Sequence, residues 1–147
     1  MGSEMCIRDR GEEVRNQRGL SYSVYSYFKP MQVAGPFVLV AQTKNAQASE
    51  ALSVMQSVLQ QFMSDGPSAK QLQAAKQHIM GSFPLAVASN SQIVEYIAMM
   101  GFYALPLDWL ASLPGKVEAV SAHQIRDAFQ RRIQSQSPIQ VVVGGHE

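Results

Sequence analysis

Residues 12–43, EEVRNQRGLSYSVYSYFKPMQVAGPFVLVAQT, decide the fold. Glu12 to Arg18 is polar and helix-compatible. Gly19 follows it, the residue type that ends helices in the left-handed conformation, so this stretch reads as the last turns of a helix. Ser21 to Phe28 alternates and is rich in Tyr and Val, the pattern of a strand. Lys29 to Gly35, with Pro30 and Gly35, reads as a connection. Phe37 to Thr43 is a second strand, and the two strands are expected to pair as antiparallel neighbours.

Downstream of this hairpin the period changes from two to three and four. In Ala46–Ser64 the residues Leu52, Met55, Leu59, Phe62 and Met63 share one helical face. Asp65-Gly66-Pro67 stops that helix. Ser68 with Gln71 has the capping-box spacing and opens another helix to about Ser82, where Pro84 breaks or kinks the path. A further helix is expected over roughly Ser89 to Tyr103. Leu105-Pro106-Leu107 turns into a short helix at Asp108–Ser112, and another short helix follows Pro114. Ser121 with Gln124 repeats the capping-box spacing and opens a helix to Ile133. Ile139 to Val143 (IQVVV), apolar on both faces, reads as a central strand. Helix end, two strands, helical block, strand: this order gives an α/β (α+β) domain, a mixed, largely antiparallel sheet packed on one side by helices.

The chain is 147 residues long, which suits one domain able to bury roughly 70% of its unfolded surface. Hydrophobic residues at 46% and charged residues at 16% exclude a disordered chain. Twelve Lys+Arg against eleven Asp+Glu leave a formal charge of +1, without the basic excess that phosphate neutralisation demands, so no nucleic-acid partner is expected. The longest apolar stretch, Ile93 to Leu113, is interrupted by Glu95, Pro106 and Asp108 and does not read as a membrane span. Residues 1–11 (MGSEMCIRDRG) hold the only cysteine, Cys6, and no periodic apolar pattern. They read as a foreign leader, with a disordered native terminus as the alternative; residues 12–147 read as the domain.

No residue cluster offers self-contained chemistry. His78, His123 and His146 each lack a second His or Cys at a ligand spacing. There is no GxSxG turn and no phosphate loop ahead of a helix. Two residues stand out. Arg15 and Tyr22 lie seven apart across a helix-to-strand turn, which can bring both side chains to one sheet edge. An Arg fork donates to carbonyls or carboxylates, and a Tyr hydroxyl donates to a developing oxyanion. The alternative is a surface Arg and an ordinary strand aromatic. Tyr25 and Tyr27 share the opposite strand face, and their plain reading is sheet packing, with a peptide-contacting face as the sharper one. Met99, Met100, Phe102 and Tyr103 read as core.

At RNQRGLSYSVYS the sequence resembles the C-terminal domain of the insulinase (pitrilysin-type) zinc metallopeptidase family, in the bacterial branch related to mitochondrial processing peptidase. The resemblance continues in order through TKNAQASEAL, DGPSAKQLQAAKQHIMGSFPL, ALPLDWL, KVEAVSAHQIRDAF and VVVGG. It implies one half of a clamshell whose other half carries HxxEH and zinc. The positions matching the family's substrate-holding pair are Arg15 and Tyr22. HxxEH itself is absent, so the resemblance implies no zinc on this chain and no peptide hydrolysis by it alone. The leading strand, helix and Gly-rich turn of the family pattern are also absent, which implies an incomplete domain with an exposed sheet edge. The implied partners are an HxxEH-bearing domain, in the same full-length chain or on a separate subunit, and a peptide substrate. The alternative function is a non-catalytic scaffold or interaction subunit of the same fold. The resemblance favours a bacterial periplasmic location.

Overall fold

The computed structural model describes residues 23–133 and 138–144. The helix end expected at Glu12–Arg18 and the site residues Arg15 and Tyr22 lie outside the described residues. Strand β1 (Ser23–Phe28) pairs antiparallel with β2 (Phe37–Gln42), from Ser23 opposite Gln42 to Phe28 opposite Phe37. A Ser23 hydroxyl to Gln42 side-chain bond of 3.1 Å and a Lys29 N–H to Pro36 carbonyl bond of 3.0 Å close the two ends of the hairpin. After a 3₁₀ turn at Asn45–Gln47 come five helices: α1 (Ala48–Asp65), α2 (Ala69–Ala86), α3 (Asn90–Phe102), α4 (Trp109–Ala119) and α5 (Ala122–Ile133). The architecture is mixed α+β, and the described sheet is the antiparallel pair β1–β2.

Helix starts follow the local chemistry. Ser68 accepts from the Gln71 N–H at 3.2 Å while the Gln71 side chain accepts from the Ser68 N–H at 2.9 Å. The same reciprocal pair joins Ser89 to Gln92 and Ser121 to Gln124, satisfying N–H groups that have no partner inside the helix. Gly66 ends α1 at φ +72°, and a Cβ there would press to 3.2 Å from the Arg126 Cβ, so the left-handed turn and the close approach of α5 both ask for glycine.

Alternation gives the sheet one packed and one open face. Val24, Ser26 and Phe28 point to the helices, and Ser26 is 2% exposed. Phe129 of α5 stands edge-on to Phe28, Phe37 and Phe62, with centroids at 5.7, 5.6 and 4.8 Å. This aromatic cluster joins the hairpin, α1 and α5, helped by a 2.9 Å bond from the Gln130 side-chain amide to the Met63 carbonyl. Lys76 of α2 donates its ammonium to the Glu118 carbonyl at the end of α4. On α5, Arg131 pairs with Asp127 one turn away at 2.7 Å, and that hydrogen bond holds the Asp127 carboxyl below its ordinary pKa.

Three expectations are corrected. The helix opened by Ser68 does not end at Ser82; it runs to Ala86 with Pro84 in its final turn, where proline removes one donor, to the Met80 carbonyl, and the helix ends two residues on. Pro114 does not separate two short helices: Trp109–Ala119 is one helix containing it, so the missing bond at that position is absorbed. Ile139–Val143 is not a strand. It makes no ladder with β1 or β2, and Ile139, Val141, Val142 and Val143 are 68–94% exposed. A strand is sustained by pairing, and this segment lies against neither outer edge of the described sheet. Just past the segment, Gly144 lies close to the 3₁₀ turn: a Cβ there (φ +154°) would be 2.7 Å from the Asn45 side-chain oxygen.

Candidate functional site

Strand β1 begins at Ser23, directly after Tyr22 in the chain. Arg15 and Tyr22 themselves lie outside the described residues, so the site is built from the strand that follows them. On its open face β1 carries Tyr25 and Tyr27. The register sets them opposite Val40 and Val38 of β2. The two rings stack on each other, centroids 6.2 Å apart and planes 18° apart, and remain 41% and 36% exposed. Both rings are thus partly open to solvent while packing on each other. Each ring offers an apolar plate and a hydroxyl, the combination that suits contact with an extended peptide. Among the described residues the outer edge of β1 has no neighbouring strand, leaving its backbone N–H and C=O groups free to accept one. Sequence alternation placed the two tyrosines on one face. It could not tell an open face from a covered one, because Val and Tyr serve both.

The remaining candidates stay apart. His78 lies on α2 and His123 on α5, and among the described residues no group of three His, Cys, Asp or Glu side chains could hold a metal ion. The donor set does not fit zinc, and no chemistry through a metal is assigned to these residues. Of the four residues read as core near the end of α3, Met100 is buried at 8% exposed, but Phe102 is 59% exposed. An open cleft of about 620 Å³ between α1 and α5 is lined by Leu59, Met63, Gln130 and Ile133 among others, and none of its described lining residues is titratable. No helix among the described residues is long and apolar enough to cross a membrane.

Comparison with known proteins fits this architecture. Residues 10–79 match the family model of the Peptidase M16 inactive domain. The crystal structure of the peptidase M16 inactive domain from Pseudomonas fluorescens superposes with a TM-score of 0.76 at 37% identity, over 83% of this chain and 29% of that one. The "Non-peptidase homolog YmxG" of Helicobacter pylori (strain ATCC 700392 / 26695) is 27% identical over 116 residues, which cover 79% of this chain and 27% of the relative. The "Uncharacterized zinc protease YmxG" of Bacillus subtilis (strain 168) is 30% identical over 80 residues, covering 54% and 20%. The chain thus spans about a quarter of the length of the curated relatives it matches. The order of motifs, the α+β fold and these similarities agree: the chain is similar in sequence and in fold to the peptidase M16 inactive domain.

Proposed function

We propose that this chain is the substrate-holding, metal-free half of a zinc-dependent endopeptidase acting on peptides or unfolded protein segments. The observation that carries this reading is the open β1 edge with its exposed Tyr25–Tyr27 pair, immediately following Tyr22. A peptide laid along β1 gains main-chain hydrogen bonds whatever its sequence, and the tyrosine pair covers its side chains. Arg15 holds the substrate backbone, and the Tyr22 hydroxyl donates to the scissile carbonyl oxygen as charge develops there. The zinc and HxxEH belong to a partner domain, in the same polypeptide or on another subunit. The proposed compartment is the bacterial periplasm, on the resemblance alone.

The test uses the full polypeptide or complex that contains an HxxEH domain, loaded with zinc, against an unstructured peptide. Arg15→Ala and Tyr22→Phe should each lower kcat/KM by about 100-fold or more, the scale set by loss of one donor to a developing oxyanion. Tyr25→Ala should raise KM with little change in kcat. Unchanged kcat/KM in both site variants would show the assigned roles to be wrong.

The name of the Helicobacter pylori relative, a non-peptidase homologue, favours a second reading, a scaffold or interaction subunit without proteolysis. A native complex that contains neither zinc nor peptidase activity, yet assembles through this domain, would establish that reading instead.

A further inference from the structure

The stretch from Val14 to Ser49 contains Arg15, Arg18, Lys29 and Lys44 and no Asp or Glu, whereas residues 50–147 hold seven acids against six Lys and Arg. The formal charge of +1 therefore hides a division. The stretch that bears the candidate site is basic, and the helical block that follows is slightly acidic. A charged ligand responds to that local field and not to the net charge of the chain.

The hairpin sets two of these cations at its two ends. The Lys29 N–H to Pro36 carbonyl bond carries the ladder one step beyond Phe28, so by alternation Lys29 follows Tyr25 and Tyr27 on their face of the sheet. At the other end, half-buried Ala41 and Thr43 alternate with exposed Gln42 and Lys44, and Lys44 is extended at φ −69° and ψ 145°. Alternation thus puts Lys44 on the same face, with Val38 and Val40. Both lysines are exposed, and neither makes an ion pair with a described residue. Between them, β1 and β2 carry no charged side chain.

We propose that the peptides held along β1 are acidic towards both ends and uncharged in the middle, with Lys29 and Lys44 meeting the carboxylates and the Tyr25–Tyr27 pair meeting the uncharged residues. This rests on the reading of β1 as the substrate-holding edge. In the register, Lys44 lies two steps beyond the Ser23–Gln42 pair, and Lys29 lies one step beyond the Phe28–Phe37 pair. The two are about eight residues apart along the sheet, roughly 26 Å in extended chain. A peptide added outside β1 runs about one strand spacing from Lys29 and two, roughly 10 Å, from Lys44, inside the Debye length at low salt. With a cation at each end, the preference holds for either direction of the peptide. Carboxylates at its ends meet opposite charge, and basic side chains there meet like charge. A charged residue in the middle loses water against Tyr and Val without gaining a partner.

The test is peptide binding, read by fluorescence anisotropy, to the full polypeptide or complex that contains the HxxEH domain, with zinc removed by chelation so that no peptide is consumed. Three labelled peptides share one uncharged six-residue core and carry two Glu, two Gln or two Lys at each end. At about 10 mM salt the Glu peptide should bind about fivefold or more tightly than the Lys peptide, with the Gln peptide between them, and the order should vanish near ~1 M salt. Lys29→Glu with Lys44→Glu should reverse the order, and Lys29→Gln with Lys44→Gln should remove it, both with the wild-type helical signal in circular dichroism. Lys116→Glu on α4 should leave it unchanged. Equal affinities, no binding of the Glu peptide, or an order that survives the double reversal overturns the proposal. Cleavage by the zinc-loaded protein separates it from the site reading. Cleavage that needs Arg15 and Tyr22 but ignores peptide charge overturns the charge preference and leaves the site in place. A lysine-dependent order of binding, with cleavage indifferent to Arg15→Ala and Tyr22→Phe, upholds the preference and overturns the assigned catalytic roles.

Discussion

Ala104 occupies a position built for glycine. It sits at φ +50° just past α3, where the Leu105 N–H bonds the Met100 carbonyl at 2.9 Å and the Ala104 N–H bonds the Gly101 carbonyl at 3.3 Å. This pair of bonds is the Schellman arrangement, whose left-handed residue pays a clash between its Cβ and the backbone. Ala104→Gly removes that clash and gives back part of the gain as unfolded-chain entropy. The expected result is a rise in unfolding free energy of about 0.5–1 kcal/mol, read from a urea midpoint that shifts at constant slope. Leu105-Pro106 marks a turn in the sequence, but nothing there announces a strained alanine. Tyr25 and Tyr27 show the same limit in the candidate site. Their shared face follows from alternation, while their exposure depends on which elements fold over the sheet.

Among the elements, α5 is the one that ties the layers together. Phe129 reaches the hairpin through Phe28 and Phe37 and reaches α1 through Phe62, so one ring serves three elements. Phe129→Ala deletes all three contacts and opens a gap against the 6%-exposed Phe62. Phe129 is only partly buried, which puts the expected loss near ~3 kcal/mol, the low end for removal of a core phenylalanine. Chemical denaturation measures it, and a loss under 1 kcal/mol would mean that α5 is not the tie. The helix boundaries were legible where a side chain itself makes the boundary. Ser68 with Gln71 and Ser121 with Gln124 are spaced to cap, and they do cap. Pro84 and Pro114 were misread because proline deletes one hydrogen bond and leaves the rest of the helix to decide. The Lys76 ammonium, 42 residues away in sequence, meets the last turn of α4 at the Glu118 carbonyl, and partners that distant are not visible in the local pattern.

At the scale of the whole molecule the described core is thin: Ala51, Phe62 and Met100 are its buried hydrophobic residues. Against that, Ile139–Val143 presents β-branched residues to water on both faces, with no charge or proline among the five. Composition alone reads such a segment as a central strand, because it records what a residue prefers and not whether the chain brings it to a sheet edge. An uncharged, exposed segment of high β-propensity is also the kind that nucleates edge-to-edge aggregation. Val141 and Val143 are 80% and 92% exposed, so lysines at both positions displace no packed neighbour. The double variant Val141→Lys/Val143→Lys should melt within about 4 °C of the wild type, since exposed substitutions cost within about ±0.5 kcal/mol each and 1 kcal/mol is worth ~2–4 °C at this size. It should also aggregate more slowly, as light scattering during the same heating would record. A melting point lowered by 5 °C or more would instead mean that the segment is paired in the folded protein, with two lysines breaking a sheet that water-exposed valines do not form.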